Sequence, residues 1–158
     1  MGQSRPILIA SGSAVLVAFL GGLASRPGAW YETLDKSALT PPNWVFAPAW
    51  TIIYALCVIA AVLGCRSAQT SATRAWLISL FFINAVFNVL WSFFFFTLQR
   101  PDWALAEVAA LWASVASLIL LLRSQSRIAS VCLFPYLIWV SFAAYLNYQV
   151  VLLNGPFG

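Results

Sequence analysis

The stretch Trp30–Tyr54, WYETLDKSALTPPNWVFAPAWTIIY, decides how the rest of the chain is read. It opens as a polar loop and closes inside an apolar helix. It holds three of the chain's eight tryptophans and two of its four acids. On either side the sequence is almost unbroken apolar residues. A loop so rich in rings, set beside membrane helices, either anchors the chain at the membrane–water interface or covers a ligand pocket. The polar groups inside the flanking helices favour the cover.

Composition fixes the class. The 158 residues suit one domain. They are 63% hydrophobic and only 8% charged, with a mean hydropathy of +0.90. Soluble domains carry about 25% charged residues, so lipid must be the solvent here. The net charge of +4 is not a nucleic-acid signal, because the basic residues stand singly near helix ends. Histidine is absent, and Cys57, Cys65 and Cys132 form no CxxC pair. A zinc or iron–sulfur site is not expected; the cysteines read as small buried hydrophobes. No metal and no cofactor are expected.

Five apolar segments follow from the pattern, at about 5–25, 42–64, 75–98, 103–122 and 128–153, each long enough to cross the hydrocarbon. The fold expected is an all-α integral membrane bundle of five transmembrane helices, with residues 26–41 as an aromatic-rich lid loop. The first segment, Ile7–Leu23, follows Arg5 and has the size of a signal peptide. Its small residues at Ala10, Ala14, Ala18 and Gly22 instead suit a helix that packs closely on a neighbour. Pro41 and Pro42 belong at a helix start, where Thr40 can cap. Pro48 and Pro135 are expected to kink their helices. Ala106, Ala110 and Ser114 form a second small-residue ladder. Five crossings place Arg5, Arg66, Arg74, Arg123 and Arg127 on one side. Arg26, Lys36 and Arg100 lie on the other, offset by Glu32, Asp35 and Asp102. In an inner membrane the basic excess sets the N-terminus in the cytoplasm; in an outer membrane the rule carries less weight. Trp30, Trp44 and Trp103 fall at the outer interface as a belt.

Polar atoms at membrane depth mark function or helix–helix bonding. Asn84, Asn88, Trp91 and Phe95 share one face of the third helix. Trp139, Ala143 and Asn147 share a face of the fifth, where a ring beside a small residue leaves a gap. Trp50 and Tyr54 share a face of the second. Glu107, on the fourth, is the one carboxylate inside the membrane, free to snorkel, to bond an indole N–H, or to relay a proton. Paired-carboxylate catalysis is excluded. Ser92, Ser114, Ser117 and Ser141 have no activating base, which disfavours nucleophilic hydrolysis. Walls of tryptophan, tyrosine, phenylalanine and asparagine suit a flat polycyclic ligand with a few polar edges, such as a porphyrin or a sterol.

These residues also carry a resemblance. Trp30-Tyr31, Leu34, Lys36, Pro41-Pro42, Trp44–Phe46 and Trp50 resemble the WY-x-x-L-x-K…PP-x-W-V-F…W signature of the TspO/MBR family, the tryptophan-rich sensory and translocator proteins. Asn84-x-x-x-Asn88-x-x-Trp91-x-x-x-Phe95 is similar to the family's third-helix motif. Pro135-Tyr136-Leu137-x-Trp139 and Leu146-Asn147 are similar to its fifth. The resemblance implies a homodimeric five-helix membrane protein that binds porphyrins, sterols and benzodiazepine-site ligands, with roles in tetrapyrrole regulation and stress. It implies a pocket under the loop walled by Tyr31, Trp50, Tyr54, Asn88, Trp91, Ser92, Phe95, Val108, Trp139 and Ala143, with Trp30, Asn84, Glu107 and Asn147 in support. Some members are proposed to degrade porphyrin in light, which would engage Trp50 and Trp139. Two departures stand out. Leu39 takes the place of an aromatic residue before Thr-Pro-Pro, removing a ring from the lid. No basic residue follows Tyr148, so the C-terminal cholesterol motif is absent in its usual form.

Overall fold

The computed structural model describes residues 28–157. The first expected span, and its small-residue ladder, lie outside them. Within the described residues the chain is all helical. A short lid helix α1 (Ala29–Thr33) precedes a 3-10 turn (Asn43–Val45) that leads into α2 (Phe46–Ser67). Next comes α3 (Ser71–Ser92), which continues as a π-helical turn over Phe93–Thr97. Then follow α4 (Pro101–Gln125), α5 (Arg127–Cys132) and α6 (Phe134–Asn154). Four stretches are long and apolar enough to cross a membrane: Asn43–Ser67, Ser71–Thr97, Pro101–Gln125 and Arg127–Asn154. The shortest has 25 residues, or about 37 Å of helix against about 30 Å of hydrocarbon.

The helix ends differ from expectation for identifiable reasons. Thr40 caps no helix. Its N–H closes a turn on Ser37 O at 2.9 Å, and the 3-10 turn follows Pro42 without a side-chain cap. Pro48 is the third residue of α2, within its first turn. The Ser/Thr-rich segment before Ala75 is already helical: Thr70 Oγ1 accepts from Thr73 N at 3.0 Å and starts α3 at Ser71. The last span is broken rather than bent. Ser126 caps α5 by accepting from Ala129 N, the chain turns at Leu133, and Pro135 takes the second position of α6. At that position proline's missing N–H costs nothing.

Helix α4 is the axis of the bundle, packing on α3, α5 and α6. Its buried stripe runs Ala104, Val108, Leu111, Val115, Leu118, Leu122. Steps alternating between four and three residues keep one seam facing its neighbours. The Ala106–Ala110–Ser114 ladder is not that seam, for Ala106 is exposed and only Ser114 is buried. Close crossing is achieved instead at Ala60, Gly64, Ala104 and Ala129, all buried. The outward face carries Trp76, Ile78, Phe82, Leu120 and Ile138, all exposed; Phe82 is 69% exposed. Trp44 and Trp103 are exposed at the lid end of the bundle, as interfacial rings are.

Candidate ligand-binding site

The backbone of α2 runs close to α5 but not to α6, and beyond the break at Leu133 large rings fill the space between α2 and α6. Residues at four-residue spacing on α2 supply one wall. Phe46, Trp50 and Tyr54 stand one above another, with Trp50 stacked on Tyr54 at 5.4 Å between ring centroids. Helix α6 supplies the other wall. The Trp50 ring meets Tyr136 edge-on at 6.1 Å and Trp139 at 6.5 Å, and Phe46 meets Trp139 at 5.8 Å. Such edge-to-face pairs suit the ring quadrupole.

Asn88 of α3 closes this wall with hydrogen bonds. The Tyr54 hydroxyl donates to Asn88 Oδ1 at 3.1 Å, and Asn88 Nδ2 donates to the Tyr136 hydroxyl at 3.0 Å. One buried amide therefore ties α2, α3 and α6 together. Asn84, one turn earlier, has a different job. It donates to Ser114 Oγ at 2.9 Å, and Ser114 donates to Leu111 O, so it bonds α3 to α4. Asn147 turns towards the start of α4. With its amide oriented to satisfy both ends, Nδ2 donates to Pro101 O at 2.9 Å and Oδ1 accepts from Leu105 N at 3.0 Å. It thereby bridges a carbonyl and an N–H four residues apart in the first turn of α4.

A second ring cluster lies under the lid. The π-helical turn, marked by the bond from Leu98 N to Phe93 O, brings consecutive rings of Phe95 and Phe96 within 4.8 Å of each other. Trp91 stacks on Phe95 at 5.2 Å. Trp30 and Tyr31 descend from α1 and meet Phe95 at 6.1 and 6.3 Å. Tyr31 and Leu34 are buried here, with Ala104 and Val150. Burial, and then the neighbouring Glu32, raises the Tyr31 phenol above its ordinary pKa, so it stays protonated at neutral pH. Lys36 Nζ sits 4.5 Å from the centre of the same ring. The far end of the lid is held by Asn154, the last residue of α6. Its Oδ1 accepts from Asp35 N and its Nδ2 donates to Asp35 O, both at 2.8 Å.

The structure thus brings Trp50, Tyr54, Asn88 and Trp139 together in one cluster, and Trp30, Tyr31 and Phe95 in another; Trp91 stacks on Phe95 in the second and also packs against the main core. Ser92 is buried on α3 beside them in sequence, Val108 lies in the main core with Tyr136, and Ala143 is half-buried one turn beyond Trp139. Both carboxylate oxygens of Glu107 are shielded, and neither has a hydrogen-bond partner among the described residues. The indole of Trp112 donates to Ser141 instead. No group of three or more metal-binding side chains occurs among the described residues. Sequence reasoning missed Phe46, Tyr136, Phe96 and Asn154 as members. Phe46 was legible as the residue one turn before Trp50. Phe96 was not, because regular helical spacing turns it away from Phe95.

The sequence profile of the TspO/MBR family matches residues 10–153. The chain is a member of the TspO/MBR family. It is 35% identical over 156 residues to the tryptophan-rich protein TspO of Chlorobaculum tepidum, covering 96% of this chain and 98% of that one. It is 38% identical over 150 residues to the TspO protein of Archaeoglobus fulgidus, covering 93% and 96%. A translocator protein from Ovis aries is 29% identical over 122 residues, covering 77% and 72%. Members of this TspO and translocator family are membrane proteins, and the four long apolar helices described here make this one a multi-pass integral membrane protein.

Proposed function

We propose that this protein is a membrane receptor or translocator-like protein that binds porphyrins, and sterol-like or benzodiazepine-site ligands, between the two ring clusters. The observation that carries the reading is Asn88. A buried amide, bonded to two tyrosines on which Trp50 packs, offers polar edges among stacking faces. Flat tetrapyrroles need that combination. Tyr31, Ser92, Phe95, Val108 and Ala143 complete the wall in this reading. The apolar segment at about 5–25 would make a bundle of five, with the lid and C-terminus outside and the N-terminus in the cytoplasm, and the working unit would be a homodimer. No cofactor is required; the porphyrin is ligand.

Because Trp50, Tyr54 and Tyr136 contact one another directly, a macrocycle enters by parting these rings, and each tryptophan then supplies a face. Tryptophan-fluorescence titration with protoporphyrin IX in the dark tests this. Saturable quenching should weaken in Trp139→Ala or Trp50→Ala by the equivalent of about 1–3 kcal/mol. Quenching that does not saturate, or is indifferent to both substitutions, means that the porphyrin merely partitions into the micelle.

A second reading, light- and oxygen-dependent porphyrin degradation, is favoured by the close approach of the Trp50 and Trp139 rings, 6.5 Å between centroids. Bleaching products under light must then change when either indole is removed. If free tryptophan gives the same bleaching, the enzymatic reading fails. A proton-coupled exporter built on Glu107 ranks below both, because that carboxylate is the one expected inside the membrane and has no second acid to pair with.

A further inference from the structure

The end of the bundle opposite the lid has an uncompensated charge. Arg66 closes α2, Arg74 lies in the first turn of α3, Arg123 lies in the last turn of α4 and Arg127 opens α5. The chain has four acids, and none is there: Glu32 and Asp35 belong to the lid, Asp102 pairs with Arg100, and Glu107 lies within α4. None of the four arginines makes an ion pair among the described residues.

Beside Arg127 the surface is grooved. Leu56 of α2, Arg127, Ile128, Val131 and Cys132 of α5, and Pro135 of α6 line a depression of about 410 Å³. Its origin is the break in the last span. Helix α5 is only six residues long and packs on α2, and a one-residue turn at Leu133 separates it from α6. Ile128 and Val131 are 70% and 63% exposed at the rim. An apolar groove bordered by the stem of an exposed arginine, which has no ion-pair partner among the described residues, matches the two ends of a charged lipid.

We propose that this groove seats an anionic phospholipid, with one acyl chain along Leu56, Ile128, Val131, Cys132 and Pro135 and the headgroup phosphate on the Arg127 guanidinium. Charge complementarity selects an anionic headgroup over a zwitterionic one. The groove, which the other arginines do not line, selects Arg127 over its neighbours.

The test is native mass spectrometry of the full chain in detergent, titrated with phosphatidylglycerol or phosphatidylcholine of the same chains. Saturable binding of phosphatidylglycerol in preference to phosphatidylcholine is expected. Arg127→Gln should weaken it about fivefold, the equivalent of ~1 kcal/mol for one arginine at an anionic headgroup. Arg66→Gln, at the same end but outside the groove, should leave it unchanged. Val131→Trp and Ile128→Trp fill the groove at exposed positions, which spares the fold, and should weaken binding with the charge intact. Glycerol phosphate, which has the headgroup anion but no chain, should not compete. Equal losses in Arg66→Gln and Arg127→Gln would make the attraction diffuse and overturn the site. So would indifference to both tryptophan substitutions, equal binding of phosphatidylcholine, or competition by glycerol phosphate.

Discussion

Replacing Asn154 with alanine should release the distal end of the lid without detaching its base. Asn154 holds Asp35 at two points, accepting from its N–H and donating to its carbonyl, and spends a third bond on Val150 O within its own helix. A net intramolecular hydrogen bond contributes about 0.5–1.5 kcal/mol, and these are solvent-accessible, so the lower half of that range applies. The two lid bonds together then hold the segment by about 1–2 kcal/mol, a factor of roughly 5–30 in its opening equilibrium. The base of the lid is held differently. Tyr31 and Leu34 are buried, and full burial of such side chains contributes about 1.5–3 kcal/mol each. Asn154→Ala leaves those contacts alone. Amide exchange should therefore accelerate roughly 5–30-fold over Asp35–Thr40 while α1 keeps its protection, since exchange follows the local opening equilibrium. Hydrogen-exchange mass spectrometry at peptide resolution reads this directly, and trypsin should cut faster after Lys36. Unchanged exchange over Asp35–Thr40 would refute the latch. Equal acceleration through α1 would show the lid to be a single unit held by its latch and not by its rings.

Three further substitutions test the packing around the site. Asn88→Ala strands the hydroxyls of Tyr54 and Tyr136 and should lower stability by about 1–3 kcal/mol in denaturant titration, more than Tyr54→Phe, which removes one bond. If the two substitutions cost the same, the amide does not join the three helices. Gly64→Ala places a Cβ against Leu122 Cδ2, with Leu77 alongside, at a fully packed point between α2 and α4. Thermal unfolding in detergent should show a loss of about 1–3 kcal/mol from overpacking, and wild-type stability would mean that the crossing is looser than described. Glu107→Gln removes a carboxyl that has no hydrogen-bond partner among the described residues. Porphyrin affinity should be unchanged, and a large loss would place Glu107 in the site.

Much of this arrangement was legible in the residues. The spacing of Trp50 and Tyr54, and of Asn84, Asn88, Trp91 and Phe95, is helical, and regular helices put those side chains where the spacing says. What escaped came from departures from regularity. A π-helical turn adds a residue to the circuit, so Phe96 joins Phe95 against Tyr31, and no periodicity can announce that. The break at Leu133 was readable only as a bend, because Pro135 disfavours the helical turn before it without specifying whether the chain kinks or stops. Asn154 looked like the end of a helix. Its role depends on where the lid comes to rest, 119 residues earlier in the chain.

The shared position of Trp91 gives these pieces a common consequence. It packs against the main core, of which Tyr136 is part, on one side and stacks on Phe95 beneath the lid on the other. On the proposed function, a ligand that parts Trp50 from Tyr136 would disturb the core that Trp91 leans on, and Phe95 would carry that shift to Trp30 and Tyr31. Occupancy among the Trp50 rings and order in the lid would then be linked through one indole, and by reciprocity a looser lid would alter affinity. Trp91→Ala, which removes the link and leaves Asn88 and Asn154 in place, should uncouple them. Porphyrin should then change lid exchange less in the variant than in the parent, and an undiminished effect would require a route that bypasses Trp91.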